Sequence, residues 1–121
     1  MEISTLAQGS YATTESRGAH LATSADELAR LWKEQIGDSE GAVPSPDFSK
    51  GVVVLLLAGM KSSGGWSVEP QGVTVESDGT AVIVATVKGP PAGSMVTQAL
   101  TSPYAVVFVS DRSVEKVRWS E

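Results

Sequence analysis

The chain has 121 residues, the size of one domain, and its 41% hydrophobic fraction is enough for an ordinary core, which argues against a wholly disordered chain. It has no cysteine, which excludes disulfides, thiolate zinc sites, iron–sulfur clusters and cysteine nucleophiles. A formal charge of -5, with nine Lys and Arg scattered along the chain, argues against binding a nucleic-acid backbone.

Met1-Glu2-Ile3-Ser4 carries neither the basic start nor the apolar stretch of a signal peptide. The longest apolar run, Val52 to Ala58, falls far short of the roughly 20 residues a spanning helix needs, so no membrane insertion is expected. Ile3 to Leu21 mixes Thr, Ser and Ala in short alternations and reads as one or two edge strands. The next segment is the one convincing helix, about residues 25–36. Ser24 is its N-cap, and Glu27 completes a capping-box pattern. Leu28, Leu31, Trp32 and Ile36 form one apolar stripe, which should bury Trp32 against a sheet. Gly37 follows as a left-handed C-cap.

Asp38 to Ser49 reads as a loop punctuated by Pro44 and Pro46. Val52 to Ala58, apolar on both faces, is expected to be a central covered strand. Strands are then expected at Trp66 to Glu69, Val73 to Glu76 and Ala81 to Lys88, with Asp78-Gly79 as a hairpin turn. Met95 to Leu100, Tyr104 to Val109 and Val114 to Trp119 complete the set. Many short strands with frequent turns predict an antiparallel β-sandwich or barrel-like sheet. With one amphipathic helix packed on it, the class is α+β leaning to mainly β, in a single domain over residues 1–121.

Catalytic groupings are sparse. His20 is the sole histidine, so a histidine metal triad is impossible, and no G-x-S-x-G elbow is present. Asp26, Glu27, Glu69, Glu76, Asp78 and Asp111 sit at helix-start, strand-end or turn positions, where acids cap helices or solvate turns. Asp47 precedes Phe48 and the buried strand and reads as a turn residue bonding its own backbone. The segment Gly59 to Gly65 lacks the order of a phosphate loop and is followed by a strand, so no helix N-terminus supplies phosphate affinity. The expectation is no enzyme, no metal and no cofactor.

Three loops combine backbone-special residues with an aromatic or polar handle. They are Lys61-Ser62-Ser63-Gly64-Gly65-Trp66, then Gly89-Pro90-Pro91-Ala92-Gly93, then Thr101-Ser102-Pro103-Tyr104. Adjacent glycines allow close backbone approach, Trp66 and Tyr104 are rings of the kind that anchor interfaces, and prolines lower the entropy cost of being held. Each has an architectural alternative: the glycines could make a tight hairpin, Trp66 could face the core, and Ser102-Pro103 could be a cis-proline turn. The expected partner-binding residues are Lys61, Ser62, Ser63, Gly64, Gly65, Trp66, Pro90, Pro91, Ser102, Pro103 and Tyr104.

In this order the segments resemble the PrcB C-terminal domain family of protease-complex subunits. The likeness runs from about Leu21 to Val109. It is carried by Leu31-Trp32, Pro46-Asp47-Phe48-Ser49-Lys50, Gly59, Ser63-Gly64-Gly65-Trp66-Ser67-Val68, Pro90-Pro91-Ala92-Gly93 and Val96-Thr97-Gln98-Ala99-Leu100-Thr101-Ser102-Pro103-Tyr104. The family tends to Thr-Gly-Gly-Tyr where this chain has Ser63-Gly64-Gly65-Trp66. What the resemblance implies is an exported or envelope-associated, non-catalytic accessory of bacterial protease complexes, with a protein partner. A looser likeness is to chagasin-like cysteine-protease inhibitors, which present three loops in the same order; their Arg before the proline is Ser102 here. That likeness implies a loop-mediated protease inhibitor as the alternative. A small hydrolase using His20 or Asp47 is the remote one, and edge strands near the termini could pair two copies as a homodimer.

Overall fold

A computed structural model describes residues 3–37, 41–96 and 98–121. Among these, β1 (Ile3–Gly9), β2 (Gly18–Ala22), β3 (Val52–Leu57) and β6 (Tyr104–Val109) form one sheet in the order β1-β6-β3-β2. The strands β4 (Ser67–Val75), β5 (Thr80–Lys88) and β7 (Lys116–Ser120) form a second, in the order β4-β5-β7. The helix α1 (Ala25–Leu31) continues into a π-helical turn over Trp32–Ile36. The expected α+β class leaning to β holds, as two open sheets and one helix.

The apolar run of β3 sets the layers. All six of its residues are buried, and alternation sends them to opposite faces. Val52, Val54 and Leu56 join Val68, Ala81, Ile83 and Ala85 between the sheets. Val53, Leu55 and Leu57 meet Leu28, Leu31, Trp32 and Ile36 beneath the helix. Burying each such large side chain contributes about 1.5–3 kcal/mol, which docks the helix on the sheet. The order is therefore helix, four-stranded sheet, three-stranded sheet. As expected, β3 is central, while β1 and β2 are the two edges of the larger sheet.

The helix forms where its signals lie. Ser24 Oγ accepts from the Glu27 N–H at 3.2 Å, but Glu27 Oε1 accepts from the Thr23 N–H at 2.7 Å, so the reciprocal arm reaches one residue further back than in a standard capping box. At the other end the Gly37 N–H donates to Trp32 O at 2.8 Å, the longer reach of a π turn. Gly37 has φ 97° and ψ 162°, a glycine-only extended conformation and not the left-handed cap expected. The carbonyls of Gln35 and Ile36 are instead satisfied by the backbone N–H groups of Thr14 and Thr13, each at 3.0 Å.

Three further expectations need correction. The strands placed at Trp66 to Glu69 and Val73 to Glu76 are one strand, β4, which passes Pro70-Gln71-Gly72 through a bulge. Pro is tolerated there because β4 is an edge strand. Met95 to Leu100 is not a strand among its described residues: Met95 is fully exposed and Leu100 63% exposed. Finally, β7 pairs with β5 in parallel, so the smaller sheet is mixed rather than antiparallel.

Side-chain contacts tie the two sheets together at both sides of the sandwich. Gln8 Nε2 on β1 donates to Val68 O on β4 at 2.7 Å. On the opposite side the Arg17 guanidinium lies 4.2 Å from the Trp119 ring centroid and pairs with Glu121. Among the described residues no helix is long and apolar enough to cross a membrane.

Candidate functional site

The three loops leave the strands at one end of the sandwich and meet there. Lys61 and Thr101 exchange backbone hydrogen bonds, Lys61 N–H to Thr101 O at 2.7 Å and Thr101 N–H to Lys61 O at 3.0 Å. Thr101 Oγ1 adds a bond to Ser63 O at 2.8 Å. The first loop is thus pinned to the third.

Glycine pins the first loop to the second. Gly65 has φ +86°, and a Cβ there would stand 2.8 Å from Pro90 Cβ and 3.0 Å from Val96 Cγ1. A Cβ on Gly89 would stand 2.9, 3.0 and 3.2 Å from Cη2, Cζ3 and Cζ2 of Trp66, so the outer edge of the indole's six-membered ring packs against Gly89. Lys61 Nζ sits 4.8 Å from the Trp66 ring centroid, a cation–π contact. Trp66 is half-buried, lying against the second loop rather than under the helix.

Ser102, Pro103 and Tyr104, expected on the binding surface, are buried. Ser102 donates from its N–H to Ser10 O and from Oγ to Thr14 O, each at 2.7 Å. Pro103 O accepts from the Ala58 N–H at 3.0 Å, and no cis peptide occurs among the described residues. Tyr104 is 2% exposed and meets Trp32 edge to face, with ring centroids 6.3 Å apart. This third segment is the platform under the other two loops. It presents no ring to solvent.

Sequence reasoning missed the apolar surface around them. Tyr11, Met60, Met95 and Leu100 are exposed, and each lies on or beside a segment of the loop cluster. Tyr11 is bridged to Ser102, Met60 and Leu100 flank the bridged pair Lys61 and Thr101, and Met95 precedes Val96, which touches Gly65. The signal was the apolar content of Met95 to Leu100, which resembled a strand interior. Between the end of β1 and the start of β4 lies an open cleft of about 310 Å³, walled by Gln8, Trp66, Val68 and Glu69.

The chemistry-bearing residues stay apart. His20 lies opposite Leu55 in the ladder between β2 and β3, half-buried, and joins none of the ion pairs among the described residues. Asp47 accepts from the Ser49 hydroxyl at 2.5 Å and the Ser49 N–H at 2.9 Å, and those bonds hold its carboxyl below the usual range. Asp78 is lowered in the same way by Thr80, and Asp111 by Ser113. All three are ionised turn acceptors at neutral pH, not proton donors. Glu76 pairs with Arg118. Among the described residues no three His, Asp or Glu side chains gather where they could hold a metal ion.

Residues 52–110 match the family model described as PrcB C-terminal. The match spans β3 to β6 and all three loops; the helix and Pro46 to Lys50, which also carried the resemblance, lie outside it. No curated protein and no solved structure matches the chain.

Proposed function

We propose, from the match of residues 52–110 to the PrcB C-terminal family model and from the loop cluster, that the chain is a non-catalytic, protein-binding accessory of a protease complex. The observation that carries the reading is the exposed apolar surface of Met60, Met95 and Leu100 around the pinned loops Lys61 to Trp66 and Gly89 to Gly93. Exposed apolar residues gathered at rigid loops are the usual mark of a protein-binding surface. The binding residues are Lys61, Ser62, Ser63, Gly64, Gly65, Trp66, Pro90 and Pro91, joined by those three apolar side chains; Ser102, Pro103 and Tyr104 support them from below.

Photo-crosslinking amino acids at Met95 and Leu100, with Arg30 on the helix as the comparison position, test this in the native host. A protease or protease-complex component should be captured from the two loop positions and not from Arg30. Equal capture from all three, or capture of no such component, would sink the reading.

The chagasin-like inhibitor alternative draws on the same meeting of loops on a two-sheet scaffold. The burial of Tyr104 leaves it two presented loops where that mode uses three. Papain-like, subtilisin-like and thermolysin-like proteases that keep full activity at high micromolar protein would remove it. The hydrolase alternative has no support in the surroundings of His20 or Asp47.

A further inference from the structure

The cleft between β1 and β4 differs from the rest of the loop end in its chemistry. It measures about 310 Å³. That is the lower limit of the roughly 300–1,000 Å³ typical of a whole small-molecule site, and it suits one long side chain. Trp66 lines the cleft, its ring also carrying Lys61 Nζ at 4.8 Å from the centroid, with Gly9 at the end of β1 and Ser67 at the start of β4 beside it. Among the described residues no Lys, Arg or His lines the cleft, and its one formal charge is Glu69.

Glu69 is also uncommitted. The ion pairs among the described residues are Arg17–Glu121, Arg30–Glu34, Lys116–Asp78 and Arg118–Glu76, and Glu69 joins none of them. Gln8 spends an amide N–H on Val68 O, which leaves its side-chain oxygen as an acceptor. A half-buried carboxylate, an amide oxygen and an aromatic wall make a site for a cation on an aliphatic stem. The stem packs on the indole and the head meets the carboxylate.

We propose that this cleft takes a basic side chain, arginine or lysine, from the protein partner. The proposal rests on the accessory reading above and names the chemistry of what that surface receives. The net charge of -5 favours approach of a basic segment, and its effect is on rate and orientation.

The test titrates isotope-labelled protein with acetyl-Gly-Gly-Arg-Gly-Gly-amide and with counterparts carrying lysine, citrulline or glutamate at the centre. The arginine peptide should give saturable shifts in the Trp66 indole and the Ser67–Glu69 amides, weakening as salt is added. Its affinity should exceed that of the citrulline peptide by roughly three- to tenfold. Glu69→Gln, which keeps the size of a partly exposed strand residue, should remove that advantage and leave citrulline binding unchanged. No saturable shift with arginine or lysine, equal binding of arginine and citrulline, or an unaffected Glu69→Gln variant would each overturn the proposal. Met95 and Leu100 lie outside the cleft, so the two readings fail separately. Loop cross-links without basic-peptide binding leave the accessory role standing and remove the cleft site. Arginine-specific binding without those cross-links does the reverse.

Discussion

Gly65 and Gly89 hold the loop cluster for different reasons, and Gly93 completes a three-way comparison. Gly89 lacks a positive φ but would strike Trp66; Gly93 has φ +81° with nothing within 4 Å of a Cβ; Gly65 has both a positive φ and a clash with Pro90. Gly89→Ala should therefore cost about 1–3 kcal/mol through overpacking and shift the Trp66 indole signal. Gly93→Ala should cost about 1–2 kcal/mol of backbone strain and leave that signal in place. Gly65→Ala should combine the two. Denaturant midpoints with the Trp66 indole resonance as reporter check this, and an unmoved indole in Gly89→Ala would refute the packing described. Acidic turn residues give a second test at this scale. Hydrogen bonds from Ser49, Thr80 and Ser113 depress the carboxyls of Asp47, Asp78 and Asp111. A depressed folded pKa means stability that is fully present above the unfolded value of about 3.9 and lost as pH falls through the folded one. The melting temperature of the natural chain should therefore fall more steeply below about pH 4 than that of a variant with all three changed to Asn. The two profiles should run parallel from pH 7 to about 5. Parallel profiles down to pH 2 would show that these bonds contribute nothing.

The helix and β3 were legible because their signals are local. A capping residue with apolar spacings of three and four can mean only one face, and six consecutive large aliphatics can mean only burial on both faces. What was not legible depended on distant partners. The π turn ends with its last carbonyls taken by Thr13 and Thr14, and nothing between Ser24 and Gly37 encodes those bonds. Pro70-Gln71-Gly72 reads as a turn until β5 is present to carry the ladder across the bulge. The parallel pairing of β7 depends on β6 lying in the other sheet, which no local pattern specifies. Of the site, the glycines and Trp66 were readable, whereas the exposure of Met95 and Leu100 and the burial of Tyr104 follow from the packing. Trp32 tests the helix–sheet layer. Its ring is buried, and its Nε1 is the one buried side-chain donor or acceptor without a partner among the described residues. Trp32→Ala should cost about 3–5 kcal/mol, the price of an emptied core position. Trp32→Phe removes the unsatisfied N–H, worth about 1–3 kcal/mol, while leaving a smaller void, so the opposing changes should net below about 1.5 kcal/mol. A Phe variant as unstable as the Ala variant would show that the indole N–H has a partner after all.

At the scale of the molecule, the matched segment supplies the inner strands β3, β5 and β6, the edge strand β4 and every loop of the site, while β1, β2, the helix and β7 lie outside it. The two sides of the sandwich are joined by different chemistry. The β1–β4 side, which carries the cleft, is joined by a hydrogen bond from Gln8 to Val68. The β2–β7 side is joined by Arg17 on Trp119 and Glu121, with Trp119 Nε1 anchored on Ala85 O at 2.9 Å. These sides lie at opposite edges of the sheets, so they should be separable by mutation. Arg17→Ala removes a half-exposed cation–π contact and an exposed ion pair, and should cost about 0.5–1 kcal/mol. In a double-mutant cycle with Trp119→Leu the coupling should be of similar size, about 0.5–1 kcal/mol, because one contact accounts for most of the effect. Amide exchange should speed up in β7, and the Trp66 indole and the Ser67–Glu69 amides should keep their positions. If Arg17→Ala shifts those cleft signals, the two edges are coupled through the smaller sheet, and the cleft is set by the whole sandwich rather than by its own edge.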